Sequence, residues 1–133
     1  MVDRAAGTKP GTLVPMAAKD VLGRRGEAIA AHYLQKTGLE IIERNWRCVQ
    51  GEIDLIARDG DELVFVEVKT RSSVAFGHPL EAITVQKLAR LRRLAAAWCE
   101  AHPGNHDNIR IDAVGVLAPA DGEIDVEHLR RVF

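Results

Sequence analysis

Three side chains suited to phosphodiester chemistry fall within one short stretch, GEIDLIARDGDELVFVEVKTR, at residues 51–71. Asp54 lies in its first apolar run and Glu67 and Lys69 in its second, and the intervening Asp59-Gly60-Asp61 is a tight-turn signal that folds the runs into an antiparallel hairpin. Side chains alternate along a strand, so Glu67 and Lys69 share one face, Val66 and Val68 take the other, and Asp54 can reach the acid-lysine patch. Two carboxylates and an ammonium at the mouth of an apolar hairpin cost desolvation free energy unless something, such as a metal ion, satisfies them. The set suits divalent-metal binding and phosphodiester hydrolysis. The competing reading is plain: an acid, any residue and then Lys arises by chance about once in a chain of this size, and on an exposed strand it is a solvated face. Against it, Val64, Phe65, Val66 and Val68 mark the strand as central and covered on both faces, where charges are unusual.

The elements that must position these groups follow from periodicity. From Asp20 the pattern predicts a helix with an apolar stripe of Leu22, Gly26, Ile29 and Tyr33, stopped by Gly38 with Leu39 as the apolar residue of its cap. Glu27 sits at the stripe's edge, where it either faces the helix–sheet boundary or pairs in solvent with Arg24 or Arg25. Residues 40–47 read as a first strand, and the hairpin supplies strands at 51–58 and 62–70. Glu52 shares Asp54's strand face and is a competing acid. Arg44, Arg47 and Arg71 become cations near the patch, available to phosphate or to surface ion pairs.

Pro79 is expected to open a second helix with a buried stripe of Leu80, Ile83, Leu91, Leu94 and Trp98. Lys87 falls inside that stripe, so it either snorkels to the rim of the core or aims at the site, with Gln86, Arg90 and Arg93 on a neighbouring face. His102 and His106 have the spacing of helical metal ligands, but Pro103 and Gly104 between them make both loop residues. A fourth strand at 109–117 carries Asp112, read as the structural partner of a cation, and a fifth runs from Glu123 to Leu129. The order helix, three strands, helix, strand, strand fits an α/β mixed sheet with helices on both faces, because the helix between the third and fourth strands permits a parallel crossover.

With 133 residues, 47% of them hydrophobic, the chain can bury one core and has no room for two. No apolar run approaches the roughly 18 residues of a membrane span. Residues 1–18, with Gly7, Pro10, Gly11 and Pro15, read as a disordered lead, which leaves 19–133 as a single domain of a cytoplasmic protein. Cys48 and Cys99 lack a paired spacing and read as reduced. A formal net charge of −1 argues against indiscriminate, whole-surface binding of nucleic acid and leaves local patches.

Four phrases, GEAIAAHYL at 26–34, GEIDLIA at 51–57, FVEVKTR at 65–71 and FGHPLEAIT at 76–84, resemble in this order the YraN-type family of small bacterial predicted endonucleases. That family is related to archaeal Holliday junction resolvases within the restriction-endonuclease-like superfamily, whose motif is an Asp ending one strand and Asp/Glu-x-Lys on the next; Asp54 and Glu67-Val68-Lys69 fit it. The resemblance, covering residues 22 to 117, implies a three-layer α/β/α fold around a central mixed sheet and a metal-dependent nuclease. By the same resemblance Asp54, Glu67 and the Val68 carbonyl would hold Mg²⁺ (or Mn²⁺), Glu27 would complete or orient the site, and Lys69 would position the attacking water. Gln86 or Lys87 would approach the scissile phosphate, Arg71, Arg90 and Arg93 would contact nucleic acid, most naturally DNA, and cutting four-way junctions would call for a homodimer. Two other readings stand beside it: a nucleic-acid-binding module of the same fold that does not cut, and a protein-interaction subunit whose charges are structural.

Overall fold

The computed structural model describes residues 18–75 and 77–133. The expected disordered lead lies outside the described residues except for Ala18, which already begins a helix. Among the described residues the chain forms α1 (Ala18–Lys36), β1 (Glu40–Cys48), β2 (Gly51–Asp59), β3 (Glu62–Arg71), a short 3-10 turn (Pro79–Ala82), α2 (Val85–Ala101), β4 (Ile109–Leu117) and β5 (Asp125–Leu129). The strands make one sheet in the order β1-β2-β3-β4-β5. Neighbours are antiparallel except β3 and β4, which run parallel because α2 carries the chain back across the sheet.

Central position explains the apolar density of β3. Val64, Val66 and Val68 pack with Ala30, Ala31 and Leu34 of α1 on one face. On the other, Leu63 and Phe65 pack with Leu88, Leu91, Leu94 and Trp98 of α2. The result is the three-layer α/β/α arrangement with a central mixed sheet. No helix among the described residues is long and apolar enough to cross a membrane. Cys48 and Cys99 are free thiols, half-buried at the edge of the α2-side core.

The end of α1 follows the expected stop. Gly38 takes the left-handed conformation at φ 106°, its N–H donates to the Gln35 carbonyl at 3.1 Å, and the Leu39 N–H donates to the Leu34 carbonyl at 3.0 Å, so buried Leu39 closes over Leu34. Two expectations about the helices need correction. The face of α1 that packs on the sheet is Gly26, Ala30, Ala31 and Leu34, with Leu22, Ile29 and Tyr33 half-buried beside it. Small residues let the helix approach the sheet, so the larger apolar side chains flank that face. Pro79 does not open α2: Pro79–Ala82 is a 3-10 turn, and α2 starts at Val85 behind Thr84, whose hydroxyl accepts from the Lys87 N–H at 3.1 Å. The turn docks on β4 because Gly115 has no side chain; a Cβ there would lie 2.8 Å from Leu80 and 3.3 Å from Pro79.

Asp112 has the structural role expected of it. It is fully buried and accepts two 2.9 Å hydrogen bonds from Arg110, one of 2.7 Å from His128 and one of 3.1 Å from the Arg131 N–H. Arg110 also donates to Asp59 at 2.9 Å and to Glu62 at 2.8 Å, which ties the β2–β3 turn to β4 and the C-terminal strand. Burial alone would raise the pKa of Asp112, but hydrogen bonds from His128, Arg110 and the Arg131 N–H hold it below the usual carboxylate value.

Candidate active site

The far end of the same hairpin is built differently. The β2–β3 ladder runs from Asp59↔Glu62 to Leu55↔Val66 and stops; extended by one pair it would set Asp54 against Glu67. On the other side of β2, the partners Arg44↔Leu55 and Trp46↔Ile53 bracket Asn45 and Asp54, which do not pair. Asn45 adopts a left-handed φ of 51°, a conformation Asn tolerates better than most side chains. Both neighbouring strands are thus released at the level of Asp54, and its Oδ2 accepts the Val68 N–H at 2.8 Å in place of a ladder carbonyl. That bond orients the carboxylate across the gap toward β3.

Glu67 and Lys69 follow on the α2 side of β3, on the same face as Phe65 by alternation. Burial raises the Glu67 pKa above the usual value; the Arg90, Lys87 and Lys69 charges oppose the rise and Glu27 adds to it. Asp54 is pushed up to about 8, first by burial and next by the Glu67 charge, with Glu27 and Glu52 adding to the rise and the Val68 N–H working against it. Acids from α1, β2 and β3 therefore repel one another here, and burial keeps the Asp54 and Glu67 carboxyl groups above their usual values despite Arg90, Lys87 and Lys69.

Glu27 reaches the cluster because of its neighbour Gly26. A Cβ on Gly26 would sit 1.8 Å from the Thr70 hydroxyl oxygen, so glycine alone lets α1 lie against β3 at this point. Glu27 Oε1 accepts from Asn45 Nδ2 at 2.9 Å, which turns it toward the released stretch of β1. Glu52, the competing acid, is engaged across the strands by Arg47 at 3.3 Å. Lys87 Nζ donates to the Ala82 carbonyl at 3.0 Å, and its charge acts on Glu67. Arg90, Gln86, Arg93 and Arg44 are all exposed, and of these Arg90 acts on Glu67. Arg71 lines a cavity of about 480 Å³ together with Val68 and Lys69, between β3 and the first turns of α1. His102 closes α2 and stacks on Trp98 at 4.1 Å, with Nδ1 at 2.8 Å from the Trp98 carbonyl; neither it nor His106 belongs to the acidic cluster.

Asn45 and Gly26 were not singled out as site-forming by sequence reasoning. Their signals were an Asn inside a strand-like run and a Gly inside a helix stripe, each disfavoured by local propensity. Among the described residues no three His, Cys, Asp or Glu side chains stand close enough together to hold an ion; Glu27 is held by Asn45. The donor set nevertheless fits a hard dication: Asp54 and Glu67 offer two neighbouring carboxylates that burial disfavours as free anions, and Mg²⁺ commonly binds through one or two carboxylates with water filling the rest.

The three-layer α/β/α fold presents Asp54 and Glu67-Val68-Lys69 at the open end of its central hairpin, the arrangement that the sequence resemblance implies. The chain belongs to a family described as Uncharacterised protein family UPF0102, whose model matches residues 26–116. It is 60% identical to a UPF0102 protein of Beutenbergia cavernae over 117 residues, covering 88% of this chain and 99% of that one. A UPF0102 protein of Arthrobacter sp. (strain FB24) is 58% identical over the same length and coverage. Among solved structures, that of Pyrococcus furiosus SfsA in complex with Ca²⁺ is similar at 17% identity and a TM-score of 0.42, covering 84% of this chain and 63% of that chain.

Proposed function

We propose that the protein is a metal-dependent endonuclease that hydrolyses phosphodiester bonds of nucleic acid, most naturally DNA. One observation carries the reading: two mutually repelling carboxylates, Asp54 and Glu67, meet beside Lys69 where the strands part. Asp54, Glu67 and the Val68 carbonyl would hold Mg²⁺ or Mn²⁺, with Glu27 positioned to complete or orient the set. When bound, such an ion lowers the pKa of a coordinated water and offsets charge developing on the phosphate. Val68, through its N–H, fixes the rotamer of Asp54. Lys69 holds the attacking water and stabilises the extra negative charge of the pentavalent transition state, an electrostatic role worth about 10²–10³ in rate when one such donor is lost. Arg90 and Lys87 act on Glu67 from α2, where Lys87 would approach the scissile phosphate and Arg90 would contact the nucleic-acid backbone.

The test is a panel of single strands, duplexes, flaps and four-way junctions incubated with the pure protein, with and without Mg²⁺ or Mn²⁺. Metal-dependent cleavage by wild type, abolished in Asp54→Asn and Glu67→Gln and slowed by orders of magnitude in Lys69→Ala, supports the reading. Equal cleavage by all three variants, or by wild type in chelator, overturns it. A non-cleaving binding module is the second reading. It is favoured by the engagement of Glu27 with Asn45 and would give binding to the panel with no products under any metal.

A further inference from the structure

Two cavities flank Glu27, one of about 480 Å³ toward the end of β3 and one of about 330 Å³ toward β1. Lys19, Asp20, Gly23 and Glu27 line both, so they form one groove under the first turns of α1. The larger cavity is lined from two sides. On its β3 side stand Val68, Lys69, Thr70, Arg71, Ser72 and Ser73; on its helix side stand Lys19, Asp20, Leu22, Gly23 and Glu27. Arg71 Nε is shielded from solvent and has no hydrogen-bond partner among the described residues. A guanidinium N–H left unpaired in that way lacks an acceptor it is built to meet.

We propose that this cavity takes one unpaired nucleotide of the strand being cut, next to the scissile phosphate. The proposal rests on the nuclease reading for the position of that phosphate. Its own grounds are size, charge and place. A volume of about 480 Å³ has room for roughly sixteen waters, several times what a phosphate group fills and enough for a nucleotide. Arg71 and Lys19 meet the backbone phosphate, and the seryl hydroxyls add neutral donors. Leu22 and the Gly23 backbone give the base an apolar wall. Glu27, Val68 and Lys69 line the same cavity, so the nucleotide lies beside these three candidate site residues, with Asp54 and Glu67 just outside its lining. A base seated in a cavity cannot be stacked in a duplex, so strands with unpaired nucleotides, such as flaps, junction arms or single strands, are the substrate class.

Gly23 makes the proposal testable without touching a charged group. A Cβ added to it meets nothing within 4 Å, and any residue other than proline suits a helix interior better than glycine. Gly23→Leu therefore fills the cavity and leaves the helix intact, and Ala28→Leu puts the same bulk on the exposed face of α1 as a control. The assay is fluorescence anisotropy of a labelled single-stranded oligonucleotide in chelator, where no cutting occurs, together with melting curves of each variant. Expected are a loss of affinity of at least about tenfold in Gly23→Leu with an undiminished melting temperature, a similar loss in Arg71→Gln, and no loss in Ala28→Leu. Wild-type affinity in Gly23→Leu overturns the proposal, as does tighter binding of wild type to blunt duplex than to single strand, or no binding of wild type to either. Cleavage in Mn²⁺ is read separately: a wild type that cuts while Gly23→Leu binds and cuts equally well sinks the cavity and leaves the nuclease. Cavity-dependent binding with no cutting sinks the nuclease and leaves the cavity.

Discussion

Asp54→Asn should stabilise the fold while destroying the function assigned to the site. Asn is nearly isosteric and keeps an oxygen to accept the Val68 N–H, so the gap between β2 and β3 is preserved. What it removes is the cost of ionising a carboxyl group that burial and Glu67 both disfavour as an anion. The group's pKa rises from 3.8 to about 8 on folding. An acid raised in this way binds its proton more tightly in the folded chain, so the wild type loses stability as pH climbs through that interval. At ~1.4 kcal/mol per pH unit the whole interval corresponds to roughly 6 kcal/mol. Asp54 remains partly solvent-exposed and shares its repulsion with Glu67, which reduces the expected gain of the variant at pH 8 to about 1–3 kcal/mol.

Urea unfolding of both proteins at pH 4, 6 and 8 measures the effect. The midpoint of the variant should exceed that of wild type by a margin that grows with pH and nearly vanishes at pH 4. Mg²⁺ or Mn²⁺ added at pH 8 should narrow the margin by stabilising wild type alone. A variant no more stable than wild type at pH 8, or one with the same margin at pH 4 and pH 8, would refute the account of Asp54 as a strained acid.

Gly26→Ala should destabilise by about 1–3 kcal/mol, because its methyl meets Thr70, a short β-branched side chain with little room to yield; a thermal melt checks it. Asp112→Ala should cost about 3 kcal/mol, since Arg110 loses the carboxylate it grips with two nitrogens but keeps Asp59 and Glu62. The lowered pKa of Asp112 means its contribution is complete above the ordinary carboxylate value of 3.8 and is lost as pH falls below it, so the variant's deficit in chemical unfolding should shrink in acid. Replacing Arg90 and Arg93 by alanine should weaken binding to the nucleic-acid panel and flatten its salt dependence by about one released ion for each phosphate no longer neutralised, and an unchanged slope would place the phosphate path elsewhere. If the protein cuts four-way junctions symmetrically, sedimentation with junction DNA should give a species containing two protein chains, and a persistent monomer would reject that symmetry.

Much of the architecture could be read from pattern because the relevant signals are local. Asp59-Gly60-Asp61 announces the hairpin, Gly38-Leu39 the end of α1, and the bounds 109–117 of β4 follow from its apolar run. The misreadings arose where tertiary packing outweighs side-chain size. Ala30 and Ala31, rather than Ile29 and Tyr33, face the sheet, since close approach of a helix favours small residues. Pro79 has the chemistry of a helix start, but Thr84 offers a true cap further along the chain and the intervening turn is needed to cover Gly115. At the candidate site, the grouping of Asp54, Glu67 and Lys69 was legible through alternation on paired strands. The partners that shape it were not, because Glu27–Asn45 and Gly26–Thr70 are long-range pairings that periodicity does not encode.

The hairpin carries opposite electrostatics at its two ends, and the contrast explains how the fold tolerates the cluster around Asp54. At the turn, Asp59 and Glu62 are tied through buried Arg110 to Asp112, and the Arg131 N–H and His128 each add a second bond to an Asp112 oxygen that Arg110 already holds; every acid there has a donor. At the open end, burial raises the pKa of both Asp54 and Glu67, and the ladders on both sides of Asp54 are released. A register slip of one residue that relieved the open end would move Asp59 and Glu62 away from Arg110 and turn Val64 and Val66 out of the α1-side core. The satisfied end therefore pins the register that the unsatisfied end opposes, and Asp54 stays in the buried setting that raises its pKa. A proton on Asp54 or a bound dication would each relieve that strain without moving a strand, and the metal-assisted reaction proposed for these groups uses the second.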